Sequence, residues 1–160
     1  MSDFILARML HVAGVVLWIG GVAFVTTVLI PALRNLPEAE QRLEWFERLE
    51  NRFATQARIV TLLTGLSGFY MLHTLDAWDR YLSAEYWWVH AMTIVWLIFT
   101  LVLFVLEPLV LHRLFQKKAR QNSTKAFKVI HRMHWLLLGI SMLAIVGAVA
   151  GSRGVNLFAG

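Results

Sequence analysis

The stretch from Phe4 to Ile30, FILARMLHVAGVVLWIGGVAFVTTVLI, decides the fold class. Arg8 is its one charged residue, His11 its one other strongly polar group, and Pro31 follows directly. A membrane-spanning helix needs about 20 mainly apolar residues, and this run exceeds that length. Three further apolar blocks follow. Residues 59–75 form the second, which begins inside a helix carrying Phe53 to Arg58. Residues 87–111 form the third, with Glu107 as its one acid, and residues 134–151 the fourth. The pattern predicts four spanning helices over approximately 4–31, 55–75, 87–111 and 133–151, in one transmembrane domain covering 1–160. The runs are too continuous for the alternating pattern of a membrane barrel.

Composition agrees. Of the 160 residues, 58% are hydrophobic and 16% charged, against roughly a quarter charged in soluble domains. Cysteine is absent. These values exclude a disordered tail, a disulfide scaffold and a thiolate metal site. The expected fold class is therefore all-α, an integral membrane four-helix bundle. The first block lacks a preceding basic region and carries Asp3, so it reads as a retained first helix rather than a signal peptide.

Basic residues set the expected orientation. Arg113, Lys117, Lys118, Arg120, Lys125, Lys128 and Arg132 lie between spans three and four, with no acid among them. Arg34, Arg42, Arg48, Arg52 and Arg58 lie between spans one and two. The segment between spans two and three holds only Arg80, beside Asp76, Asp79 and Glu85. The positive-inside rule places the first and third connections in the cytoplasm and both termini in the periplasm of a bacterial inner membrane. Topology and attraction to anionic lipid account for the basic charge, so a nucleic-acid surface is not expected. Within the first connection, Leu43, Phe46, Leu49 and Phe53 recur at helical spacing. With Pro37 and Glu38 at its start, this segment predicts an amphipathic helix lying on the cytoplasmic surface and running into span two.

The polar residues inside the spans carry the chemistry. Six histidines are present, all near span ends. His11, His73 and His90 fall at the outer face, and His112, His131 and His134 at the inner face. His11 to Pro31 is about 30 Å of helix, which puts His11 near the outer boundary. Imidazole ligates haem iron and binds copper and zinc. A histidine at an interface is also tolerated as a plain snorkelling side chain. His11, Gly14, Trp18 and Gly21 share one helical face, suited either to a porphyrin or to helix packing. Glycines elsewhere, including the Gly147/Gly151 pair, fit close helix approach and leave a homodimer open. Arg58 and Glu107 lie at similar depth and suit an ion pair, with a proton path or a propionate or quinone contact as the functional alternative. Tyr70, one turn before His73, is placed to donate to a ligand. Trp78, Trp87 and Trp88 read as an interfacial aromatic belt.

The stretch Leu10-His11-Val12-Ala13-Gly14-Val15-Val16-Leu17-Trp18-Ile19-Gly20-Gly21 resembles the first helix of the copper-resistance D (CopD-like) membrane proteins and of the HemJ-type protoporphyrinogen oxidases. Trp88-Val89-His90-Ala91-Met92 is similar to the start of the third HemJ helix, with Met92 where that family has a lysine. The resemblance implies a membrane bundle that binds b-type haem or handles copper. It implies His11 as a haem ligand and His90 as a second; His73 is added on helix position alone. The leading expectation is a membrane-embedded haem b protein in redox chemistry, with one haem at the outer face. A second haem at the inner face would use His112 with His134 or His131. Electron transfer with a quinone or a periplasmic partner, or oxidation of a small substrate, is the corresponding activity. The alternatives are a copper-handling protein using His11, His73 and His90, aided by Met9, Met71 or Met92, and a non-catalytic membrane subunit.

Overall fold

The structure is a computed structural model that describes residues 2–154, with side chains throughout except those of residues 110–116, 118–121 and 123. Among the described residues the chain is helical and forms four long helices. Helix α1 is Ser2–Arg34. Helix α2 is Ala39–Thr74. Helix α3 begins as Trp87–Leu101, continues through Val102–Leu111, and runs on to Asn122, where the backbone leaves helical geometry at φ −155°, ψ 88°. Helix α4 is Thr124–Gly151.

The helix ends follow local chemistry. Asn122 has an extended backbone, and its Oδ1 accepts the Lys125 N–H at 2.9 Å, so it caps α4. The basic segment expected as a third loop is thus helix on both sides of one reversing residue. At the far end of α2 the Ala77 N–H reaches the Leu72 carbonyl at 2.9 Å and the Asp76 N–H reaches His73 at 3.1 Å. This is a Schellman closure, with Asp76 holding the left-handed position at φ 49°. Two short 3₁₀ turns, Trp78–Leu82 and Ala84–Tyr86, lead into α3.

Three of the four helices are long and apolar enough to cross a membrane: Ser2–Arg34, Ala84–Leu109 and Thr124–Gly151. Helix α2, expected as the second span, is not among them. Its apolar half is short and carries Thr61, Thr64 and Ser67, all buried. Its amphipathic half does not lie apart on a surface. It is the N-terminal continuation of the same helix, 36 residues or about 54 Å long. Its apolar face meets other helices: Phe46 is fully buried and packs edge-on against Phe127 of α4 at 5.3 Å. Val25, Ile30 and Leu33 of α1 complete that cluster.

A second cluster joins all four helices at mid-length, through Trp18, Val22, Val60, Phe99, Leu137 and Ala144. Outside it, Leu6, Val16, Leu66, Leu136, Leu143 and Val146 are each more than half exposed. Water-soluble monomers rarely present apolar surface on this scale.

Two segments are wound as π-helix, Val25–Leu29 and Val102–Leu111. Each is linked to a proline. In π winding the N–H of residue i+5 bonds the carbonyl of residue i, as Ile30 N–H does to Val25. The next donor in the first segment would be Pro31, and the corresponding donor for Leu103 would be Pro108; neither has an N–H. Both orphaned carbonyls are filled from neighbouring helices. His131 Nε2 lies 2.9 Å from the Thr26 oxygen, and Arg58 Nε donates to the Leu103 oxygen at 3.0 Å.

Candidate functional site: a chamber at the inner half of the bundle

The two π segments flank a chamber of about 580 Å³ to which all four helices contribute. Its walls are mostly apolar, among them Val22, Phe53, Phe99 and Leu137. Its polar lining is Glu50, Glu107, Asn122, Lys125 and His134. Glu107 is ion-paired with Arg58, as equal depth along the helices predicts. The Arg58 guanidinium thereby holds a carboxylate and a carbonyl of α3 at once. Glu50 has no hydrogen-bond or ion-pair partner among the described residues. Burial, reinforced by the charges of Glu107 and Glu47, raises its carboxyl from the usual 4.5 to about 7.

His134 is the imidazole of this chamber. Its Nδ1 lies 3.0 Å from the Ile130 carbonyl. A carbonyl only accepts, so Nδ1 carries the proton and the neutral ring keeps its lone pair on Nε2. This is the arrangement by which a backbone carbonyl orients a ligating histidine. Met133 lines the chamber beside it.

The other histidines divide by what their nitrogens touch. His11 Nδ1 bonds the Thr64 carbonyl at 2.9 Å, again leaving Nε2 as the lone-pair nitrogen. Its ring fits over Gly68 of α2, so it clasps α1 to α2. His90 has both nitrogens on carbonyls, Nδ1 at 3.3 Å from Tyr86 and Nε2 at 3.1 Å from Tyr81. It secures the Trp78–Leu82 turn against α3. His73 is exposed at the end of α2. His131 has its Nε2 on Thr26 and its Nδ1 3.4 Å from the Arg34 guanidinium. The His112 side chain lies outside the described residues.

Of the three histidines expected at the outer face, His11 and His90 each have a separate local role and His73 is exposed. Among the described residues no group of three or more His, Asp or Glu side chains is placed to hold a metal ion. The face shared by His11, Gly14, Trp18 and Gly21 is filled by protein. Gly14 seats Thr64, Gly21 seats the Phe53 ring, and Trp18 is buried edge-on to Phe99 at 4.8 Å. Tyr70 is exposed on α2. The residues gathered at the chamber include several that position in the sequence did not single out: Glu50, Asn122, Lys125 and Met133. Glu50 carried a usable signal, since it lies at i+4 from Phe46 and i−3 from Phe53, on the apolar face of its helix.

No protein-family model matches the chain, and neither a curated protein nor a solved structure is detectably similar to it. The likeness of the first and third helices to CopD-like and HemJ-type proteins rests on the quoted residues alone.

Proposed function

We propose that this chain is a multi-pass inner-membrane protein that binds b-type haem in the inner chamber and serves redox chemistry. The observation that carries the reading is His134: an imidazole oriented by a backbone carbonyl, with Nε2 as its lone-pair nitrogen, lining an apolar four-helix chamber. The apolar walls would take the macrocycle, His134 would ligate its iron and Lys125 would meet a propionate. Among the described residues His134 is the imidazole available to ligate at this end, since His131 is engaged by Thr26. Haem b supplies one-electron chemistry when bound. His134 would ligate the iron, Arg58 holds Glu107 in place through their ion pair, and the apolar walls exclude water. A membrane quinol or a periplasmic protein is the exchange partner on this reading. The apolar exterior and the three span-length helices support the membrane location, and the distribution of basic residues supports periplasmic termini.

Absorption spectroscopy of the purified protein, with a pyridine haemochrome assay, tests the proposal. A Soret band is expected, reduced at least tenfold in His134→Ala and kept in His11→Ala and His90→Ala. Absence of the band after expression with adequate haem, or its survival unchanged in His134→Ala, overturns it.

A further inference from the structure

A second recess lies at the C-terminal end of α1. It measures about 370 Å³ and is lined by Pro31, Arg34, Asn35, Arg42 and Thr124. It shares no residue with the chamber. Its lining contains two guanidiniums and no carboxylate, and neither Arg34 nor Arg42 forms an ion pair among the described residues. Each side chain has one polar partner of its own. Arg42 Nη2 donates to the Pro37 carbonyl at 3.0 Å, while Arg34 Nη1 faces His131 Nδ1 at 3.4 Å. Arg42 Nε is enclosed without a hydrogen-bond partner. Two guanidiniums without an ion pair among the described residues, lining one recess, repel each other and gain from a shared anion. Thr124 adds a hydroxyl from the first turn of α4, where backbone N–H groups lack intrahelical acceptors.

We infer that this recess is a phosphate-binding site, shaped for the phosphate of an anionic lipid headgroup or for free inorganic phosphate. Guanidinium is the side chain whose donor fork matches a phosphate. The recess opens where the apolar run Phe4–Ile30 gives way to Arg34, the depth at which lipid phosphates lie if α1 crosses a bilayer. The lipid source rests on the membrane reading; the inorganic source does not. Neither depends on haem.

Native mass spectrometry of the detergent-purified full chain, titrated with phosphatidylglycerol or phosphatidylcholine, reads the lipid arm. Thermal shift with inorganic phosphate against chloride at equal ionic strength reads the other. Retention of phosphatidylglycerol over phosphatidylcholine is expected to fall about fivefold in Arg34→Gln or Arg42→Gln and about thirtyfold in the double variant. Arg52→Gln, which removes the same charge away from the recess, is expected to leave it unchanged. Stabilisation by inorganic phosphate without lipid selectivity, lost in the same variants, assigns the site to the free anion. Equal losses in Arg52→Gln, or no Arg34- and Arg42-dependent effect in either arm, overturns the inference. The circular dichroism of each variant separates loss of binding from loss of fold.

Discussion

Glu50 forms no ion pair among the described residues, and the chamber it lines also holds Glu107 with its partner Arg58, Lys125 and His134, with Glu47 on its own helix. Its folded carboxyl keeps a proton up to about pH 7, whereas the unfolded one releases it near 4.5. The folded state therefore binds more protons between those values, and stability falls as pH rises through that window. Glu50→Gln is expected to raise stability at pH 8 by about 1–3 kcal/mol and to have no effect at pH 4.5, read as thermal shifts at the two pH values. Arg58 works in the opposite sense. Replacing it by Gln strands both Glu107 and the Leu103 carbonyl, with an expected loss of about 1–3 kcal/mol in thermal or denaturant unfolding. Arg58→Lys restores the charge but not the Nε donor, so an intermediate loss is expected. The Arg58–Glu107 pair is legible in the sequence because depth along a helix follows from counting residues. The separate roles of His11 and His90 are not, because rotation about the helix axis depends on the neighbour each helix meets.

At the scale of the element, small residues act as seats for rings. Gly147 and Gly151 of α4 receive the rings of Trp87 and Trp88, and a Cβ at either position would overlap them. Gly20 and Gly139 meet no atom within 4 Å. Gly147→Ala and Gly151→Ala are expected to destabilise by about 1–3 kcal/mol each. Gly20→Ala and Gly139→Ala should stay within about 0.5 kcal/mol, with melting temperature as the measurement for all four. The GxxxG spacing correctly announces close packing, yet it does not say that aromatic side chains of the adjacent helix, rather than a backbone, fill the gap. The amphipathic pattern of residues 43–53 is equally plain, but an apolar stripe looks the same whether lipid or Phe127 covers it. The reversal at Asn122 is within reach of the sequence, since Asn is a preferred helix N-cap and the segment has no Gly or Pro to end a helix otherwise.

At the scale of the whole molecule, the inner end is the larger one. The first half of α2, the last turns of α3 and the first turns of α4 continue the bundle beyond the apolar blocks; the phosphate recess is built there, and the chamber reaches from there into the blocks. The proposed orientation puts this end in the cytoplasm. The chain has no cysteine, so single introductions report without background. Asp79→Cys should react with a membrane-impermeant maleimide in intact cells, and Glu40→Cys only after lysis. The reverse pattern would invert the orientation, and labelling of both in intact cells would remove it. The proline-linked carbonyls also set an order of assembly. Thr26 lies 105 residues before its donor His131, about 5–20 s of synthesis. During that interval the first helix carries an open carbonyl that the last helix closes. A chain arrested before residue 131 is therefore unfinished at its beginning as well as at its end.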